Sequence, residues 1–313
     1  MILRDRPSGL RLFLALRGSV LPRILPALIV NIVIATLVTW SHGDLFQLKI
    51  TLTTIPFTLI GLPLSIFLGF RNNAAYDRFW EGRKLWGELV LRSRNLARQC
   101  LSLIDYPAPA RAGNGMADAR VRMIYRTIAF NHAVRDLLRG QPSAAGLKEL
   151  LLPAEFEQMG QAPNKPDFLM QQMGMDLRQC LKERRIDPCL AVSIDNTMSA
   201  LTGAGASCER IRNTPVPFSY TLLLHRTAYL YCFLLPFGLV DSIGFMTPFV
   251  VAIVAYTFFG LDALGDEIEE PFGLDANDLP LDAICRAIEI DLRAALRDPN
   301  VPAPLAPVND CLT

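Results

Sequence analysis

Long apolar runs alternate along this chain with polar stretches whose apolar positions recur at helical spacing. Four runs stand out, at about 20–40, 50–70, 227–240 and 243–261. A helix of about 20 apolar residues crosses the hydrocarbon core of a bilayer. The 50–70 run, ITLTTIPFTLIGLPLSIFLGF, carries no charged residue, and neither does 243–261. The third run is short by itself and borrows the turn at 222–226. Links at 41–49 and 241–242 join the four runs into two hairpins. Buried hairpins in a water-soluble core are the bland alternative, but core helices rarely lack charge over such lengths.

The polar middle, about 71–220, is helical in pattern. Val121, Ile124 and Ile128 mark one amphipathic face, and Leu190, Ile194, Met198 and Leu201 mark another. Breaks are expected at 140–143 (GQPS) and 160–166. Asn213-Thr214-Pro215-Val216-Pro217 cannot be helix interior, because two prolines remove donors and push their predecessors to extended backbone. It is read as the elbow that re-enters the membrane. No strand alternation is sustained anywhere. These patterns predict an all-α membrane protein organised as a cytosolic N-terminal segment (1–19), a membrane hairpin (20–70), a cytosolic helical region (71–221), a second hairpin (222–261), an acidic turn and helix (262–298), and a disordered proline-rich tail (299–313).

Composition sharpens this picture. Of 313 residues, 51% are hydrophobic and only 19% charged, against roughly a quarter charged in an average soluble domain. A net charge of +1 gives no field to attract nucleic acid. Seven scattered cysteines without a C-x-x-C pair suggest reduced thiols. The three histidines (His42, His132, His225) show no metal-ligand spacing. The basic N-terminus precedes an apolar run with no A-x-A-like cleavage site, so it reads as a retained anchor. Arg4, Arg6, Arg11 and Arg17 precede the first run, and Arg71, Arg78, Arg83 and Lys84 follow the second, while the links hold Lys49 alone. Positive residues stay on the cytoplasmic side, which places both termini and the middle of the chain there.

Chemistry is sparse. There is no phosphate loop, nucleotide fingerprint, zinc-protease motif or nucleophile elbow, so no enzyme activity and no cofactor are expected. The acids of 262–282 are spread, and a solvated helix face followed by a turn explains them as well as a cation site does. The spans lack midplane acids, which argues against proton-coupled pumping. What remains is passive conduction, scaffolding or sensing. Leu62, Ile66 and Phe70 lie four apart and form one stripe that can face lipid, a neighbouring helix or a pore. Packing within one subunit is the first reading of such a stripe, since a pore along it needs a symmetric ring of subunits.

Three blocks then carry a resemblance: FLGFRNNAAYDRFWEGRKLWGE (67–88), CERIRNTPVPFSYTLLLHRT (208–227) and EEPFGLDANDLPLD (269–282). They closely resemble the bestrophin family in its bacterial branch. The resemblance implies a homopentameric channel for small monovalent ions in the lipid bilayer, with four membrane helices per subunit and a helical cytosolic part. It places the hydrophobic pore neck at Leu62, Ile66 and Phe70, and so reverses the packing reading. A lower constriction falls at or near Cys189. Animal members clasp calcium with an unbroken acidic run. Here LDAND follows Pro271-Phe272-Gly273 and separates Asp275 from Asp278, so those two are the only metal candidates. Animal necks also carry more phenylalanine, whose electropositive edges favour anions, whereas only Phe70 is aromatic here. The expectation is a cation-leaning channel. The alternatives are an anion channel of the same architecture and a non-conducting scaffold or sensor.

Overall fold

A computed structural model of the chain describes residues 1–2, 9, 15–16, 18–41, 44–45, 48–49, 52–141 and 145–313. Lys49 lies in the link, where only the backbone is described. Arg4, Arg6, Arg11 and Arg17, like Ile50 at the head of the second run, fall outside the described residues. Nine α-helices are present among them. They are α1 (Leu21–Trp40), α2 (Ile55–Leu103), α3 (Ala119–Arg139), α4 (Pro153–Gln161), α5 (Lys165–Lys182), α6 (Pro188–Asn213), α7 (Phe218–Ile243), α8 (Thr247–Glu269) and α9 (Leu281–Ala295). The first link holds a minimal antiparallel ladder, β1 (Asp44–Leu45) on β2 (Leu48–Lys49). Strand pairing enters there in pieces too short for alternation to register.

The helix boundaries follow local chemistry. Asp118 caps α3 by accepting from the Arg120 backbone N–H at 2.9 Å. Gly140 ends the helix with φ +64°, the left-handed conformation that favours glycine. Asn164 caps α5 and Asp187 caps α6 in the same manner as Asp118. The expected elbow is present: α6 ends at Asn213 and α7 begins at Phe218, after Pro217. The third apolar run therefore does extend backwards, to Phe218. Pro63 lies inside α2 without ending it. Pro56 sits in the first turn, where no intrahelical donor is lost.

The chain divides into two compact units: Arg4–Phe79 with Pro215–Glu270, and Met1–Leu3 with Trp80–Thr214 and Pro271–Thr313. The single helix α2 supplies residues to both. In the first unit, α1, α7, α8 and the start of α2 pack around three small clusters. Ile24 and Leu28 meet Cys232, Ala255, Phe259 and Ala263. Ala35 and Phe57 meet Leu235 and Val251. Leu64 and Leu68 meet Leu224 and Ala228. Small residues let helices approach where a bilayer supplies no hydrophobic drive. Gly61 shows the constraint: a Cβ there would stand 2.9 Å from the Tyr231 hydroxyl. Three continuous helical stretches of the described chain are long and apolar enough to cross a membrane: Leu21–Trp40, Ile55–Leu103 and Phe218–Glu269. The last turns at a short 3₁₀ segment, Gly244–Met246, which separates α7 from α8. Large apolar side chains outside the clusters, among them Ile29, Val33 and Leu37 of α1, remain exposed, as a lipid-facing surface requires.

In the second unit α3 is the central helix. Val121, Ile124 and Ile128 are fully buried, as their spacing predicts. The second predicted face holds at Ile194, Met198 and Leu201, but Leu190, in the first turn of α6, is exposed. The buried charges of this unit are paired. Arg126 reaches Glu155 at 2.7 Å, and Arg122 reaches Asp176 at 2.7 Å. The tail, expected to be disordered, ends in backbone hydrogen bonds: Leu312 N–H donates to the Met1 carbonyl at 2.8 Å, and Ala283 N–H to the Thr313 carbonyl at 2.9 Å.

Candidate functional site

The first half of α2 has two distinct faces. Phe57, Leu64, Leu68, Arg71 and Ala75 recur at helical spacing and are buried against the rest of their unit. Leu62, Ile66 and Phe70 occupy the other face, exposed in the single chain at 66%, 47% and 59%. Ile55 and Leu59 continue the exposed stripe towards the start of the helix. Packing within one subunit is therefore the work of the Leu64 face, and the Leu62 stripe is left free for lipid, another subunit or a pore. Gly69, beside Phe70, is also unencumbered, with nothing within 4 Å of a Cβ built on it.

Sequence reasoning missed the charged cluster directly below this stripe. Arg71 was read only for the orientation of the chain, and the acids of 262–282 as explained by a solvated helix face, which Asp262, 3% exposed, is not part of. Arg71 is wholly buried. Its Nη1 donates to Asp262 Oδ1 at 2.8 Å and to the Asp262 carbonyl at 3.2 Å. Its Nη2 pairs with Asp266, and Glu269 lies 3.9 Å away. The other oxygen of Asp262 is 2.6 Å from His225 Nδ1. Asn72 donates to the Leu261 carbonyl at 3.1 Å, Arg78 to the Glu269 carbonyl at 3.1 Å, and the Val216 N–H to Glu269 Oε1 at 2.9 Å. Each of the three resemblance blocks contributes: Arg71, Asn72 and Arg78 from the first, Val216 and His225 from the second, Glu269 from the third. A signal was available. Asp262, Asp266 and Glu269 are spaced by four and three, which puts them on one face of α8. Burying so many charges is tolerable only because each is paired.

The remaining candidates lie in the other unit and are described by themselves. Cys189 sits in the first turn of α6, exposed, its N–H donating to Asp187 Oδ1 at 2.8 Å. By contrast Cys208 is buried, and burial pushes its thiol up to about 12, which leaves it inert. Asp275 and Asp278 close a turn on each other. The Asp275 N–H donates to the Asp278 carboxylate at 2.7 Å, and the Asp278 N–H donates to the Asp275 carbonyl at 3.0 Å. Asp278 is buried and Asp275 exposed. Among the described residues no group of three or more His, Cys, Asp and Glu side chains is placed to hold a metal ion. Phe272 of the same segment packs against α2 at Gly82, where an added Cβ would stand 3.0 Å from two ring carbons. The glycine of the FWEG motif is thus the seat for the phenylalanine of the EPFG motif.

Known proteins agree with this architecture. The family model for the Bacterial/Fungal Bestrophin protein matches residues 1–294. A protein of Mesorhizobium japonicum named as a voltage-dependent anion channel-forming protein is 45% identical over 300 residues, which cover 95% of this chain and 92% of that protein. An Escherichia coli K12 protein with the same kind of name is 39% identical over 307 residues, 98% of each chain. A crystal structure of a bacterial bestrophin homolog from Klebsiella pneumoniae superposes with a TM-score of 0.80 at 36% identity, covering 88% of this chain and 98% of that one. With its all-helical fold, its membrane-length helices and near end-to-end likeness to channel-forming relatives, the chain belongs to the bestrophin family, in its bacterial branch.

Proposed function

We propose that this chain forms a passive ion channel as a homopentamer in a bacterial inner membrane, with both termini cytoplasmic. The observation that carries the reading is the Leu62–Ile66–Phe70 stripe, which stays exposed on the single chain while the opposite face of α2 is buried. Five copies around an axis would make three stacked apolar rings. Such rings offer a passing ion no substitute for its hydration shell and gate by dewetting. Cys189, exposed at the start of α6, is the proposed lower constriction.

The names of the relatives support small monovalent anions as the cargo, and that reading replaces the cation lean of the sequence. Cation passage stays as the second reading on one observation: two of the three neck side chains are aliphatic and lack the electropositive ring edge that favours an anion. Purified protein in planar bilayers under a salt gradient decides between them. Anion conduction gives a reversal potential of the sign set by the chloride gradient, unchanged when the cation is replaced by a large organic one. Cation conduction gives the opposite sign and loses current on that replacement. A bilayer that stays silent at every voltage removes the channel reading in favour of a scaffold.

A further inference from the structure

In the unit that contains α3 and α9, four segments line a half-open cavity of about 590 Å³. That volume falls within the range of small-molecule sites, about 300–1,000 Å³. Its charged lining is His132 and Arg135 from α3, Glu149 from the turn before α4, and Arg286, Glu289 and Arg293 from α9. Most of these groups are already committed. Arg135 is held by Asp136 at 2.7 Å and Asp282 at 3.0 Å. Arg293 donates to Glu289 at 2.9 Å and to Asp298 at 2.8 Å. Glu289 serves three cations at once, with His132 Nε2 at 3.5 Å and Arg286 Nε at 3.9 Å in addition to Arg293. Burial by itself would raise the Glu289 carboxyl, but His132, Arg293 and Arg286 outweigh it and hold the group below the usual carboxylate range.

Among the described residues, one cation of this lining is left over. Arg286 makes only the 3.9 Å approach to Glu289, beyond hydrogen-bond distance, and its side chain is one-third exposed at the cavity. A planar guanidinium with open donors is the group that best matches a carboxylate or phosphate. Arg135 and Arg293 are balanced by Asp136, Asp282 and Asp298, so the guanidinium that offers donors to the space is that of Arg286.

We infer that this cavity binds a small organic or inorganic oxyanion, carrying a carboxylate or phosphate, with Arg286 as its principal contact and His132 beside it. Glu149, exposed on the opposite segment, sets an upper limit on the charge the site accepts. Its residues belong to the unit of α3 and α9 and the neck residues to the other, and the binding does not depend on the channel's selectivity.

The test uses the full-length protein in detergent, titrated by calorimetry with sodium succinate and with sodium phosphate against sodium chloride at matched ionic strength. Saturable binding of one probe at millimolar concentration or better is expected, and the tighter probe names the class. Arg286→Gln should weaken binding about tenfold or more, the worth of a charged hydrogen bond. Arg111→Gln, an exposed arginine elsewhere, should leave it unchanged. Glu149→Gln should bind several-fold tighter, a gain that misfolding cannot imitate. Absence of saturable binding by either probe overturns the proposal, as does an Arg286→Gln protein that binds like the parent or an Arg111→Gln protein that loses as much.

Discussion

Asp262 holds two partners from distant parts of the chain with its two oxygens: Arg71 at 2.8 Å on Oδ1 and His225 at 2.6 Å on Oδ2. The carboxylate thereby ties α2, α7 and α8 together directly below the apolar stripe.

Removing one member of the buried pair should cost far more than removing both. Arg71→Met leaves Asp262 as a buried charge short of its main partner, a loss of about 3–5 kcal/mol. Arg71→Met with Asp262→Leu replaces the pair with apolar side chains and should recover most of that loss. Thermal melts of the two proteins in one detergent check this. A double variant no better than the single would mean that Asp266 and Glu269, rather than Asp262, hold the arginine.

Gly265 is the gap through which Arg71 and Asn72 reach α8. A Cβ at that position would stand 2.5 Å from Asn72 Oδ1 and 3.3 Å from the Arg71 guanidinium carbon. Gly265→Ala should therefore destabilise the protein by about 1–3 kcal/mol through overpacking, despite alanine's better helix propensity. Gly69→Ala, where the space is open, should be neutral or slightly stabilising, and the paired melts separate the two effects.

The neck assignment predicts opposite phenotypes on the two faces of one helix. Leu62, Ile66 and Phe70 replaced together by alanine should raise unitary conductance and weaken gating, with little loss of stability. Leu64→Ala, which opens a hole among Leu68, Leu224 and Ala228, should cost about 2–5 kcal/mol and leave conductance per channel unchanged. Single-channel recording alongside a thermal melt reads both. Conductance that follows Leu64 would assign the pore to the other face.

Conduction should be indifferent to calcium. The Asp278 carboxylate already accepts from the Asp275 backbone, and calcium needs about six to eight converging oxygens. Bilayer currents recorded before and after a calcium chelator should superimpose. A steep dependence on micromolar calcium would place a site in this turn.

Asp118 carries a pH dependence whose sign is fixed. Burial would raise its carboxyl, but Arg120 and Asn114 hydrogen bonds dominate and lower it below the ordinary value. A depressed carboxylate contributes stability that is complete above its unfolded pKa of about 4 and fades as pH falls through the folded value. Asp118→Ala should cost about 0.5–2 kcal/mol for the α3 cap alone at neutral pH, and the gap to the parent should shrink below pH 4. Melting temperatures between pH 7 and pH 3 measure it.

The helical class, the membrane-length runs, the elbow at Pro215 and Pro217, the stop at Gly140 and the stripe of Leu62, Ile66 and Phe70 were legible in the sequence. Each rests on interactions within about four residues or on a restriction of one residue's own backbone. Strand pairing in the first link was invisible because two-residue strands carry no period. The partners of Arg71 were equally hidden, since they lie 191 and 195 residues away. The sequence displayed the charges, but only the packing of α2 against α8 decided that Arg71 is buried rather than dissolved at an interface. The oxyanion cavity is the same case: Arg286 is an ordinary arginine until α3, α9 and the turn before α4 close around it and leave its donors uncommitted.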